Sequence, residues 1–428
     1  MNDLGEIHLP RIRVDDFPLA LANQYETRLF VAFHKLVDET ELGRKLMARL
    51  KADGRVASID GKMLSHGSGS TRLDLTRLAA WWLWRANEVG GDLADQNLDT
   101  FLNADQIDVI CTLWVYGVEP SVEVDLGEGV MLLPLNAMPP SGDKEQLLQA
   151  KFGSNPSPIP VASAALIKRY KTKKIVSSES APDEGFEEVL KVQSELYQVA
   201  LLLNCISGVC CTAGYSTSYS LPDGPLGPFA GRGGGSQVHD VLPRRVTRFE
   251  GGQQSFANIQ RKFRERPVND QQKLSHALYR FAQAKGRLNE GDKALDLGIA
   301  LEMLLLNTDH KNKELPSQLS LQFRLRGCWL IAESYEERSE LYQKLGKIYG
   351  LRSQIAHNGN SHELARMEHS KKQEMLTDHI VIAERIFQKL ILDGFPTDWS
   401  SLILGRGNTT NNAYDGLSDA KPIATDPS

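Results

Sequence analysis

Apolar positions recur with a helical period from Ala22 to Ala52 and again from Leu73 to Glu88, which predicts a helical N-terminal region over residues 1–104. In the second segment Leu75, Leu78 and Trp82 fall on one side while Trp81 and Trp84 cover another. That helix is apolar nearly all round and reads as buried core ahead of a platform for stacked bases. Around Ile107 the texture changes to short β-rich runs, VICTLWVYGV, SVEVDL and GVMLLPL, with Gly127 and Gly129 at the turn between the last two. A polar break at Pro139, Pro140, Ser141 and Gly142 follows, then an apolar run from about Ile159 to Ile167. The stripe Val189, Val192, Leu196, Val199 and Leu203 predicts a helix from about Pro182 to Ile206. Residues 105–220 thus read as a small α+β domain, to which a sensor or regulatory role is open.

Leu221 to Ser236 is Gly/Pro-rich and has no apolar period, so residues 221–268 read as a Gly/Pro-rich and basic connector. The glycines carry neither GxxxxGK[ST] nor a strand–GxGxxG–helix context, which favours a flexible loop over a phosphate cradle. From Asp270 to about Trp399 the helical period becomes strong. One helix carries Leu274, Ala277, Leu278, Phe281 and Leu288, and the next carries Ala294, Leu297, Leu301, Leu304 and Leu305. A third starts near Pro316 and Ser317, a fourth runs from Glu336 to His357 with Leu341, Leu345, Ile348 and Ile355, and a last starts at about Ser370. Short polar connections predict antiparallel neighbours in an up-and-down bundle over residues 269–400. The polar stretch after Gly405 lacks any hydrophobic repeat, so 401–428 reads as a disordered tail. The fold class is multidomain and mainly α: a C-terminal antiparallel helical bundle preceded by a helical N-terminal segment and a small α+β domain.

A length of 428 residues corresponds to about two to four domains. Lys+Arg 49 against Asp+Glu 54 leaves a net charge of −5, so no chain-wide basic field draws the protein to nucleic acid or membrane. Any RNA contact must come from a local patch. The best one is Arg244, Arg245, Arg248, Arg261, Lys262, Arg264 and Arg266, a run that otherwise reads as a solvated face. Five cysteines without a CxxC pair argue against a disulfide scaffold or a zinc module and fit a reducing cytoplasm. The N-terminus MNDLGEIHLPRIRVDDF has no apolar h-region of a secretory signal. The most lipid-like stretch, Tyr197 to Gly214, contains Gln198, Asn204 and Ser207 and reads as a core helix running into a strand, so no membrane contact is expected. No cofactor is expected, and no His/Asp/Glu spacing reads as a metal site; His276, His310, His362 and His369 read as surface residues.

Arg352 interrupts the apolar stripe of the fourth bundle helix, four residues after Ile348 and three before Ile355. A guanidinium there is costly unless it meets a partner or faces an interface or cleft. Asn358-Gly359 is a C-terminal stop that places His357 in the last turn, where the negative end of the helix dipole favours imidazolium. Five residues separate the two by about 140° on an ideal helix. They converge only if the terminal turn distorts or a second copy of the chain brings them together.

The stretch Asp292 to Gly359, with DLGIALEMLLL, RLRGCWLI and LYQKLGKIYGLRSQIAHNG, resembles the Apea-like branch of the HEPN (higher eukaryotes and prokaryotes nucleotide-binding) domains. The family's mark is an Arg, usually followed by a polar residue, and a His after four to six intervening residues; Arg352-Ser353-Gln354-Ile355-Ala356-His357 is the four-spacer form. The likeness spans roughly Lys273 to Trp399. It implies a HEPN helical bundle and a metal-independent RNase site formed by Arg352 and His357, commonly assembled across a homodimer. Histidine chemistry suits attack of a ribose 2′-hydroxyl on the adjacent phosphate, and arginine suits the charge that develops on the phosphorane. Ser353 departs from the more usual Asn, Asp or His. Glu302 matches the family's acidic position; it reads as a structural ion pair ahead of a catalytic group, Arg326 reads the same way, and both, with Asn358, fall in a supporting shell. The implied role is a cytoplasmic endoribonuclease acting on RNA in prokaryotic anti-phage defence or a toxin system, with a phage or regulatory trigger. The rival reading is a HEPN module that has lost catalysis and serves as an RNA-binding or assembly scaffold.

Overall fold

The computed structural model describes residues 33–65, 70–139, 144, 147–148, 151, 161–177, 186–219, 233–236, 243, 245–306 and 316–409. The chain is mainly helical with a smaller sheet region, and it divides into two compact units, Met1–Ala257 and Asn258–Ser428.

In the first unit the helix expected over Ala22 to Ala52 is interrupted, its part before residue 33 lying outside the described residues. A helix over 33–39 stops at Thr40, whose extended backbone and side chain cap α1 (Glu41–Ala52) by accepting the Gly43 N–H at 3.0 Å. After α2 (Gly54–Ile59) come β1 (Met63–Ser65) and β2 (Ser70–Arg72), then α3 (Leu75–Val89) and α4 (Gly91–Asn103). Trp81 and Trp82 of α3 are fully buried, and the Trp82 indole donates to Asp95 at 2.8 Å, which removes both rings from any stacking role.

A purely helical N-terminal region is corrected by β1 and β2. They form a three-stranded antiparallel sheet with β8 (Ile175–Ser177), so the expected boundary at 104/105 is crossed by strand pairing. Strands of three residues give no alternation to read. A six-stranded sheet follows, built from β3 (Gln106–Tyr116), β5 (Val124–Asp125), β6 (Val130–Pro134), β7 (Ala164–Lys173), β9 (Thr212–Tyr219) and β10 (Gly233–Ser236) in the order β10-β9-β3-β7-β6-β5. All its pairings are antiparallel. Its long central strand β3 is buried along most of its length; Ile110 and Trp114 pack with Ala165 and Ile167 of β7 on one face. Helix α5 (Phe186–Leu203) packs on the sheet and ties to β7 through Lys168–Glu195 at 2.8 Å.

The expected connector over 221–268 is corrected as well. It contains β10, β11 (Thr247–Phe249), which pairs parallel with β4 (Val118–Pro120), and α6 (Gln253–Arg264); residues 221–232 lie outside the described residues.

The second unit holds α7 (Val268–Gly286), α8 (Glu290–Leu305), α9 (Pro316–Ile331), α10 (Tyr335–Asn358), the short α11 (His362–Arg366), α12 (His369–Asp393) and α13 (Trp399–Thr409). Helix α13 extends into the stretch expected to be a disordered tail, of which 410–428 lies outside the described residues. Its core is the predicted stripes: Leu274, Phe281, Leu297, Leu301, Leu345, Ile348, Phe387 and Leu390 are buried, and Phe281 stacks on Phe387 at 4.9 Å.

Cross-helix pairs give the directions. Arg280–Asp296 with Lys273–Leu304 sets α7 against α8, Lys285–Glu384 sets α7 against α12, and Lys344–Asp378 with Arg385–Glu337 sets α10 against α12. Phe323–Tyr349 and Arg338–Trp329 set α9 antiparallel to α10, while α8 also runs opposite α10, with Gly298 at Arg352 and Leu305 near Leu345. Helices α8 and α9 therefore run in the same sense, which corrects a strict up-and-down order at that one connection.

Candidate functional site

The site is built on α8 and α10. Ser334 caps the start of α10 by accepting the Glu337 N–H at 3.1 Å, and the Glu337 carboxylate accepts the Glu333 N–H at 3.0 Å. At the other end Gly359 takes the left-handed conformation at φ 70°, and its N–H donates to the Ile355 carbonyl at 2.8 Å. The helix is regular through Asn358, and His357 sits in its last turn with its side chain exposed. The terminal turn does not distort, so the 140° offset between Arg352 and His357 stands.

Arg352 meets a partner. Its Nη2 lies 2.6 Å from Glu302 Oε2, with 28% of the Arg352 side chain and 16% of that of Glu302 exposed. Glu302 is in the last turn of α8, where the helix dipole disfavours a carboxylate, so a cation there relieves two costs at once. Burial pushes the Glu302 carboxyl above its ordinary pKa, and the charge and hydrogen bond of Arg352 pull it back part of the way. The guanidinium keeps donors beyond this bond: Nε is buried and has no hydrogen-bond partner among the described residues.

The close approach is set by Gly298, one turn before Glu302 on α8. A Cβ there would sit 2.6 Å from Arg352 Cγ and closer still to Arg352 Cβ, so only glycine lets α10 lie at this depth. Tyr349, one turn before Arg352, shares the neighbourhood. Its hydroxyl is pushed up chiefly by burial and then by the Glu302 charge, with Arg352 acting the other way. Neither Gly298 nor Tyr349 was anticipated from sequence.

Arg326 is 8% exposed and donates from Nη1 to the Leu305 carbonyl at 2.9 Å, with its guanidinium 5.4 Å from the Trp399 ring. It caps the C-terminal end of α8 and so supports the helix that carries Glu302. Ser353 is half-buried and Asn358 exposed. Ser353 and His357 are four residues apart and share a face of α10.

The basic run does not form one patch of free cations. Arg244 lies outside the described residues, while Arg245 and Arg248 are exposed in the first unit, Arg248 3.8 Å from Glu250. In the second unit Arg261 and Lys262 are each 2.7 Å from Glu265, and Arg266 turns to the carbonyls of Lys262 and Leu392. Arg264 is exposed.

No family model, curated protein or solved structure matches the chain. Among the described residues no group of three or more His, Cys, Asp or Glu side chains is placed to hold a metal ion, and no helix is long and apolar enough to cross a membrane.

Proposed function

We propose that the second unit is a HEPN-type, metal-independent endoribonuclease. The observation that carries the reading is Arg352, held at 2.6 Å by Glu302 on a neighbouring helix with donors to spare, five residues before an exposed His357 at the end of the same helix. The ribose 2′-oxygen bonds to phosphorus as the bond from phosphorus to the 5′-oxygen breaks. His357 handles the protons, one leaving the 2′-hydroxyl and one reaching the departing 5′-oxygen, and Arg352 donates to the phosphorane oxygens. The products are a 2′,3′-cyclic phosphate and a 5′-hydroxyl.

The 140° offset favours a homodimer in which two α10 helices meet around a two-fold axis, each copy supplying what the other lacks. The same offset is what favours the second reading, a silent RNA-binding or assembly scaffold. Resemblance, not geometry, supports the wider role in prokaryotic anti-phage defence or a toxin system and the cytoplasmic setting.

The test is cleavage of total RNA with and without excess EDTA. Cleavage persists in chelator, and His357→Ala and Arg352→Ala each reduce it by about 10²–10⁴-fold. A mixture of the two variant chains regains part of the activity. Activity lost in EDTA and restored by magnesium sinks the mechanism, and His357→Ala cleaving at the wild-type rate hands the site to the scaffold reading.

A further inference from the structure

The face of α10 that carries His357 is not its apolar stripe. At 100° per residue, Tyr335, Tyr342, Gly346, Tyr349, Ser353 and His357 fall within about 40° of a single line along the helix. Three tyrosines seven residues apart thus lead to the candidate catalytic histidine over a rise of about 33 Å. Helix α9 borders this line. The Phe323 ring lies 5.4 Å from Tyr349, the Arg324 guanidinium 4.5 Å over the Tyr342 ring, and the Arg338 guanidinium 4.5 Å over Trp329. Gly346 leaves the seam low between Tyr342 and Tyr349, and the Arg324 chain lies across it, its Cδ 3.0 Å from where a Cβ would be. Tyr335, at the far end, is 74% exposed.

The two arginines decide what this face suits. Among the described residues neither makes an ion pair. Each is held by a ring and by a backbone carbonyl, Ser320 at 3.2 Å for Arg324 and Glu333 at 3.4 Å for Arg338. Cations held by rings and carbonyls and outside any ion pair, interleaved with ring faces, match a strand whose phosphates and bases alternate. A second copy of the chain laid along the seam over Arg324 and Arg338 would set these charges against their own equivalents, so a dimer contact at the His357 end of α10 leaves the seam open. A duplex keeps its bases stacked away from such rings, so the match is to a single strand.

We propose that the α9–α10 seam is a single-stranded RNA track that delivers the strand to Arg352 and His357. This rests on the ribonuclease reading and names the form of its substrate.

The experiment uses the full chain carrying His357→Ala, to prevent turnover, and a labelled 12-nucleotide oligouridine followed by fluorescence anisotropy across a salt series. Added Tyr335→Ala, at a site too exposed to unfold the helix, weakens binding by about 5- to 150-fold, the range for losing one stacked base. Arg324→Gln lowers the slope of log K against log salt by about 0.7, the loss of one phosphate contact on a single strand. Tyr342→Phe binds as before, and a duplex of matching length competes poorly. If both Tyr335→Ala and Arg324→Gln leave affinity and slope unchanged while the wild-type chain still cleaves RNA, the track is overturned and the nuclease reading stands. Wild-type chain that binds the oligomer through these residues without cleaving it supports the track and overturns the nuclease. Sedimentation that changes with Tyr335→Ala while RNA affinity does not assigns the face to contact between copies and overturns the track.

Discussion

Gly298→Ala tests the packing that fixes Arg352, because two effects of opposite sign meet at one position. In a helix interior alanine is favoured over glycine by about 0.8–1.0 kcal/mol. Here the added methyl would sit 2.6 Å from Arg352 Cγ and nearer to Cβ, where ordinary contacts start at 3.4 Å. Relief takes a shift of about 1 Å, and it cannot come from the flexible end of the side chain, since the colliding atoms are the first two carbons from the backbone. Overpacking of this kind costs about 3 kcal/mol at the upper end of its range, leaving a net loss of about 2 kcal/mol. For a unit of this size that lowers the melting temperature by about 4–8 °C. Gly350→Ala is the control, since a Cβ at Gly350 on α10 meets nothing within 4 Å. It gains about 0.5–1 kcal/mol and raises the melting temperature by about 1–4 °C. Scanning calorimetry of the two variants beside the wild type reads the sign directly. In the cleavage assay a misplacement of about 1 Å costs on the order of 10²-fold, so Gly298→Ala loses activity that Gly350→Ala keeps. Gly298→Ala as stable and as active as Gly350→Ala refutes the close approach of α8 and α10.

Lys285 and Glu384 form an ion pair at 2.7 Å with 5% and 4% of their side chains exposed, so Glu384→Leu alone takes the carboxylate from a buried ammonium and costs about 3–5 kcal/mol. The double variant Lys285→Met with Glu384→Leu recovers most of that loss in urea unfolding; no recovery removes the buried-charge argument. His379 is 2% exposed, and burial, helped by Lys347 and Lys344 and opposed by Asp378, pushes its pKa down to about 4. The folded chain keeps it neutral while the unfolded chain takes up a proton below the ordinary 6.5, so its stabilising contribution is full above that value and is lost as pH falls toward 4. The loss reaches about 2 kcal/mol by pH 5, and melts at pH 7 and pH 5 should differ less for His379→Gln than for the wild type; equal differences refute the shift.

How much of this was legible in the sequence depends on how local each cause is. The ends of α10 follow from residues next to them: Gly359 stops the helix, and so the position of His357 was readable. The stripes of α7, α8, α10 and α12 were readable because burial imposes a period on each helix by itself. The β1-β2-β8 sheet was not, since three-residue strands carry no alternation and the third strand lies over a hundred residues away. The common direction of α8 and α9 was also hidden, because the length of a connection does not fix direction when both helices pack against a third.

The site shows the same division between local and distant causes. An arginine on an apolar stripe advertises a missing partner, and Glu302 stood out for the complementary reason, a carboxylate within a run of leucines. Gly298 gave no such signal, since a helical glycine acquires meaning only from what the opposite helix presses against it, here the first carbons of Arg352. Tyr335, Tyr342 and Tyr349 were in plain view at intervals of seven, yet a search for the buried stripe weights leucine and isoleucine and passes over rings that are half polar. The two kinds of position answer to different pressures. Gly298 and Glu302 hold Arg352 in place from beneath, and Arg326 caps the helix that carries both, where packing leaves little freedom. Tyr335 and His357 are exposed at the two ends of this line, so packing within the bundle does not account for them, whereas Tyr342 and Tyr349 also meet side chains of α9. On the proposed ribonuclease reading, stacking and proton transfer are what would place an exposed ring and the histidine on one line of one helix.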